Sequence, residues 1–243
     1  MVWAVSMPSD FGPFFPGGDF PDFRERLEAY QSNDMPEAER EALRGRSSYS
    51  RWVFRKFTGE IGVKRSGGPV LTPLRDHEWP QEFQARRPIK NLGVVFKAIN
   101  RVLAVNEQMK DLIERIEPGV HQFRPLAVLQ PDSTPFPGSY FTMVIGQFRD
   151  AFQPEETEQK LWREVSYTDN NNQTVITGLY TCLAVGEESY GRLAFSRRVI
   201  GDAHLWRDSR LLGPDYYISD VLRDEIKRAK LRIPRPLRVK EVA

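Results

Sequence analysis

Apolar residues recur along this chain with helical, alternating and irregular spacings, and each spacing predicts a different element. From Asp22 to Tyr30, Phe23, Leu27 and Tyr30 fall on one helical face, and a second short helix is predicted over 37–44 with Pro36 at its first turn. Residues 51–57 alternate instead, placing Trp52 and Phe54 together as on a strand. Residues 58–91 are rich in glycine, proline and charge and predict several turns. Val102 to Val105 predicts a short apolar strand. Asn106 then caps a helix whose Met109, Leu112, Ile113 and Ile116 share one face, and Pro118-Gly119 ends it. Gln122 to Leu129 is extended, with Pro125 confining it to an edge or a strand end. Further strands are predicted at 140–148, 175–185 and 192–200, the last two joined by a turn over 186–191, with a loop at 169–172. Ser219 caps a final helix carrying Leu222, Ile226 and Ala229 on one face.

These elements predict an α+β fold: a mainly antiparallel sheet flanked by the 106–117 and 219–231 helices. An N-terminal lobe of helices and loops over residues 1–90 is expected beside a core over 91–243. Residues 7–22 fit neither period, since their prolines and glycines forbid regular structure. Yet Phe11, Phe14, Phe15 and Phe20 are too apolar for an idle linker; they either fold onto the core or form an exposed binding patch.

The segment Val105 to Leu126 is also faintly echoed by Ile218 to Leu237. Val105-Asn106-Glu107 matches Ile218-Ser219-Asp220, and Arg124-Pro125-Leu126 matches Arg235-Pro236-Leu237. Each copy reads as a strand, a capped amphipathic helix and an exit strand, and two such units are expected as equivalent layers on one sheet. Convergence on a common capped-helix pattern is the competing explanation.

Charge changes the picture only locally. The 243 residues hold 35 Lys and Arg against 33 Asp and Glu. Residues 1–45 carry nine acids and four bases, however, and residues 223–240 carry eight bases and two acids. The basic tail reads as a solvated helix face, and with a net charge of +2 no nucleic-acid partner is expected. The acidic N-terminal third is a candidate docking surface for a basic protein. One cysteine, Cys182, excludes an intrachain disulfide framework. No apolar run approaches the roughly 18 residues of a membrane span, and residues 1–6 do not read as a secretory signal. A cytoplasmic protein without a membrane partner is expected.

Catalytic motifs are sparse. There is no nucleophile elbow, phosphate-binding loop or dinucleotide turn, and Arg65-Ser66-Gly67-Gly68-Pro69 reads as a loop tip. His77, His121 and His204 have no zinc-binding spacing, so no metal and no cofactor are expected. His204 and Asp208 are four apart and would meet only on a helical turn; they are the one acid–base pair on which an enzyme reading can rest. Cys182 lies in an apolar strand, where a thiol is inert. Trp206 reads as core, whereas Trp79, in a polar loop, reads as an exposed anchor. Phe14, Phe15, Asp19 and Trp79 are accordingly the candidate partner-binding residues.

The stretch His204-Leu205-Trp206-Arg207-Asp208, then Tyr216-Tyr217-Ile218-Ser219-Asp220-Val221-Leu222, resembles the end of a bacterial family of immunity proteins for polymorphic toxins, built around a myxobacterial immunity domain. Glu117-Pro118-Gly119-Val120-His121, with the strand and helix before it, resembles the same family's middle. The likeness spans about residues 90–240 and departs after the last helix, where Leu231-Arg232-Ile233-Pro234 replaces a glycine-containing turn. It implies a protein that binds and neutralises a cognate toxin or effector encoded nearby, occluding its active site, with no catalytic residues. On this resemblance His121, His204, Trp206, Asp208, Ser219 and Asp220 are family-motif residues with structural roles. The alternative is an enzyme that reverses the toxin's damage or processes a small ligand.

Overall fold

The computed structural model describes residues 1–44, 48–58, 73–168 and 172–243. The Arg65–Pro69 turn and residues 169–171 of the expected loop lie outside the described residues. In chain order the elements begin with β1 (Val2–Val5), β2 (Gly18–Asp19), α1 (Phe23–Asn33), α2 (Glu37–Leu43) and α3 (Tyr49–Thr58). Next come β3 (Glu82–Ala85), β4 (Val95–Lys97), β5 (Leu103–Asn106), α4 (Glu107–Ile116), β6 (Gln122–Leu129) and β7 (Tyr140–Val144). After these run β8 (Phe148–Arg149), β9 (Trp162–Thr168), β10 (Thr174–Cys182), α5 (Gly186–Tyr190), β11 (Ala194–Ser196) and α6 (Arg197–Ile200). The chain closes with β12 (Leu205–Asp208), β13 (Leu211–Leu212), β14 (Tyr216–Ser219), α7 (Asp220–Arg228), β15 (Leu237–Arg238) and β16 (Lys240–Val242). Helices and strands mix in an α+β fold whose strand pairs are mainly antiparallel.

Two compact units form. One comprises Pro8–Gly146 with Leu231–Ile233, and the other Met1–Met7, Gln147–Lys230 and Pro234–Ala243. The sequence pattern placed its boundary near residue 90, but residues 91–146 fold with the N-terminal elements, because β6 pairs with β3 and β2 pairs with β3.

The unit around Pro8–Gly146 is built on a six-stranded sheet in the order β2-β3-β6-β7-β5-β4. Phe20, Phe23, Leu27, Phe57, Phe83 and Phe96 are among its fully or nearly buried core. Pro125 sits in β6 opposite Phe141 of β7, while β3 begins to pair only at Ala127, so the proline occupies a locally open edge. The expected strand at 51–57 is instead helix α3. Tyr49, Trp52, Val53, Lys56 and Phe57 are buried at helical spacing, and Phe54 meets Phe23 edge-on from another face.

The second unit holds a five-stranded sheet in the order β15-β1-β14-β12-β8, a three-stranded sheet β13-β10-β9 and the pair β11-β16. Phe152, Leu193, Phe195, Trp206 and Tyr217 are in its core. The hairpin expected between 175–185 and 192–200 does not form. β10 pairs with β9 and β13, β11 pairs with β16, and residues 197–200 are helix α6, with Ser196 accepting from the Val199 N–H. The strand expected at 140–148 breaks at Gly146, where any Cβ would lie 1.8 Å from the Val120 carbonyl oxygen. Only glycine tolerates that approach.

The two echoed segments share a local build. Asn106 Oδ1 accepts from Met109 N at 3.0 Å at the start of α4, and Ser219 Oγ accepts from Leu222 N at 3.2 Å at the start of α7. In one, β7 runs antiparallel between β5 and β6, and α4 packs on β5 and β7. In the other, β1 runs antiparallel between β14 and β15, and α7 packs on β14 and β1. They occupy two different sheets, not layers of one, because each helix covers the sheet its own strands build. Ala229, expected on the buried face of the last helix, is exposed at its end.

Candidate functional site

Each motif histidine is held by its neighbours. His204 Nδ1 lies 2.8 Å from Ser219 Oγ, and the Ser219 N–H donates to the His204 carbonyl, joining the start of β12 to the end of β14. Ser219 therefore caps α7 and anchors the histidine at once. Asp220 opens α7, half-buried, with its Oδ1 accepting from Val221 N. A cavity of about 140 Å³ lies beside these groups, lined in part by Ile200, His204, Trp206, Ser219 and Asp220. Trp206 is fully buried and stacks on Tyr217 at 5.8 Å, the core role expected of it.

The pairing of His204 with Asp208 fails. The intervening residues are strand β12, which carries a four-residue step roughly 13 Å, where a helical turn would close it. Asp208 is 2% exposed and wholly engaged in structure. Its Oδ2 accepts from the Ala151 and Phe152 N–H groups at 3.0 and 2.8 Å, and its Oδ1 from Arg210 and Leu211 N–H, both at 2.9 Å. Burial pushes its carboxyl upward while these four donors favour the charged form.

In the other unit, His121 Nδ1 accepts from Gly146 N at 3.2 Å, so the proton sits on Nε2, 2.9 Å from Glu117 Oε2. The Glu117–His121 stretch thus pins the end of α4 to the tight passage at Gly146. Trp79, expected as an exposed anchor, is 4% exposed and meets Phe57 edge-on; it belongs to the core, because its polar neighbour Glu78 is itself buried.

A cluster of titratable groups surrounds Glu78. Lys56 Nζ donates to both carboxylate oxygens at 2.7 Å, Tyr49 Oη donates to Oε1 at 2.6 Å and Arg75 N to Oε2 at 2.7 Å. Arg75 also reaches Glu39 with two nitrogens, at 2.7 and 3.1 Å, and His77 Nε2 lies 2.8 Å from Tyr49 Oη while its ring stacks on Tyr30. Burial alone raises the Glu78 carboxyl, but hydrogen bonds from Lys56, Tyr49 and Arg75 outweigh it and hold the group below the usual carboxylate value. Burial lowers the Lys56 ammonium, opposed by Glu78, and pushes the Tyr49 hydroxyl well up.

Because the folded Glu78 value lies below the unfolded one, its contribution to stability is complete above about pH 4.5 and is lost as pH falls through the folded value. Urea midpoints are expected to fall as pH is lowered below about 4.5, and the fall to shrink in Glu78→Gln.

The N-terminal aromatics divide between both alternatives left open by the sequence. Phe20 enters the core against Phe23 and Phe83, whereas Phe11 is 64% exposed and stacks on Phe15 at 5.4 Å. Phe14 and Phe15 are half-buried. Asp19 is exposed, accepts from Phe20 N at 2.8 Å, and lies 4.0 Å from Arg86. Cations stand over the rings: Arg87 over Phe11 at 5.7 Å, Lys97 over Phe15 at 5.7 Å and Arg232 over Phe14 at 5.9 Å.

Residues 32–235 match the immunity protein family Imm11. The chain belongs to this family. No curated protein matches the chain. The Imm11 match takes in the Glu78 cluster, the Glu117–His121 staple and all of His204, Trp206, Asp208, Ser219 and Asp220, while Phe11, Phe14, Phe15 and Asp19 precede it. Among the described residues of this Imm11 chain no three of His, Cys, Asp and Glu gather to hold a metal, and no helix is long and apolar enough to cross a membrane. Tyr49, Lys56, Arg75, His77 and Glu78 were not marked by sequence as a unit. The one available signal was the 49, 52/53, 56 spacing, which puts Tyr49 and Lys56 on the buried face once α3 is read as a helix.

Proposed function

We propose that this Imm11 protein acts in the cytoplasm by binding a cognate toxin or effector stoichiometrically, covering its active site without turnover of its own. The family match over residues 32–235 carries this reading. The spent chemistry of Asp208 supports it: a carboxylate accepting four backbone N–H groups and 2% exposed has no free lone pair for a substrate. Tight inhibitory interfaces bury on the order of 1,600 Å² around a few aromatic or arginine anchors, which asks for surface and not for a catalytic cleft.

The test is survival of a bacterial host expressing the large gene product encoded beside this chain, with and without the chain. Rescue that rises with the dose of this protein is expected. Absence of rescue, with both proteins soluble and the neighbour verified as toxic, would break the pairing.

A further inference from the structure

Building on that reading, we propose that Phe11 and Phe15, with the cations that surround them, seat an acidic region of the cognate toxin. Phe11 is a large apolar ring left 64% exposed on a segment that is not loose. Gly12 and Phe15 exchange backbone hydrogen bonds at 3.0 and 3.1 Å. The Pro13 and Phe14 carbonyls accept from Gly93 N at 2.7 Å and Lys97 N at 2.8 Å, along the outer edge of β4. Gly17 has φ +68°, and a Cβ there would meet the Phe11 ring at 2.5 Å, so the ring lies directly on that glycine. A ring fixed before binding loses little freedom when a partner covers it.

The surrounding charge selects the partner's sign. Arg87, Lys97 and Arg232 each stand within about 6 Å of a ring of this segment. Arg86 adds a fourth cation, with the exposed carboxylate of Asp19 at 4.0 Å from it. The sequence led to the opposite expectation, an acidic surface for a basic partner. In the fold, however, several of the N-terminal acids are engaged at home, Glu39 by Arg75, Glu37 by Arg40 and Glu41 by Arg44. Aromatic residues and arginine are enriched at protein interfaces, and arginine recognises carboxylates by paired hydrogen bonds. The β9–β10 hairpin also exposes apolar side chains, Tyr167 and Ile176, but its described charges are Arg163 and Glu164, which cancel and select no partner.

The experiment measures binding of the full chain to the toxin encoded beside it, by surface plasmon resonance across a salt series. Phe11→Ala is expected to weaken binding at least about tenfold, mainly through faster dissociation. Arg87→Glu and Arg232→Glu are each expected to slow association about tenfold at low salt and to flatten its salt dependence, while Arg163→Glu on β9 stays within about twofold of the unaltered chain. These side chains are exposed, so the variants should melt with the unaltered chain, which circular dichroism checks. Unchanged binding by the Phe11 and arginine variants overturns this inference and leaves the immunity reading standing. So does tight, steeply salt-dependent capture of an oligothymidylate of about 20 nucleotides that Arg87→Glu abolishes, which would assign the patch to nucleic acid. No binding of the toxin by the unaltered chain overturns both.

Discussion

Glu78→Ala is expected to destabilise the protein by about 3–5 kcal/mol, the scale for removing one partner of a buried ion pair. The loss goes beyond one contact. Glu78 is fully buried, and its carboxylate answers the Lys56 ammonium, the Tyr49 hydroxyl and the Arg75 N–H together. Alanine removes the shared carboxylate from a buried ammonium, a hydroxyl and a backbone N–H at once, and a donor left unsatisfied in the interior carries a desolvation penalty. The pair between Arg75 and Glu39, at 38% and 30% side-chain exposure, belongs to a wetter class worth less than about 1 kcal/mol. Urea unfolding checks this through the midpoint at unchanged slope. A loss below about 1 kcal/mol would show that water reaches Glu78 and that the cluster does not hold α3 to the Arg75–Glu78 turn.

The second large effect is at Asp208. Asp208→Asn preserves volume and shape yet is expected to cost about 3–5 kcal/mol, because two orphaned N–H donors each cost roughly 1–3 kcal/mol. Both carboxylate oxygens accept from two backbone N–H groups, so whichever way the amide is turned, its NH₂ faces two donors. The segments released are residues 151–152 and 210–211, which Asp208 ties to β12. The measurement is again the urea midpoint, read beside His204→Ala. A catalytic Asp208 predicts the reverse pattern: intact stability with lost protective activity, which would return the enzyme reading.

Which parts of this fold could be read in advance follows from how local their causes are. Helices α4 and α7 were legible to the cap, because Asn106 and Ser219 act within three residues and the apolar spacing beyond them admits one period. The run Trp52-Val53-Phe54 admits two periods, and the strand reading failed because the residues that decide, Tyr49 and Lys56, are polar groups buried by a partner 29 and 22 residues later. Trp79 misled for the same reason. Its polar neighbour Glu78 signalled a solvated loop, and only Lys56 and Tyr49 make that carboxylate a buried one. His204 and Asp208 looked like a pair because a spacing of four means contact on a helix, whereas β12 is a strand.

Strand partners were the least legible. β1 pairs with β14 and β15, and nothing in Val2–Val5 names partners more than 200 residues away. The aromatic patch shows the same limit. Phe11, Phe14 and Phe15 stood out as apolar rings without an element to serve, but Arg87, Lys97 and Arg232 come from three distant segments, and only folding reveals that the rings face cations. A family match is silent on such surfaces, since the partner shapes them and the fold only supports them.

The most direct test of the central claim is a titration of the purified toxin's activity with this protein, at toxin concentrations well above their dissociation constant. Stoichiometric neutralisation predicts that activity falls linearly and ends at one equivalent, with a complex of that composition by light scattering. Complete loss of activity at a small fraction of an equivalent, growing with incubation time and leaving no complex, would contradict it and identify a catalyst.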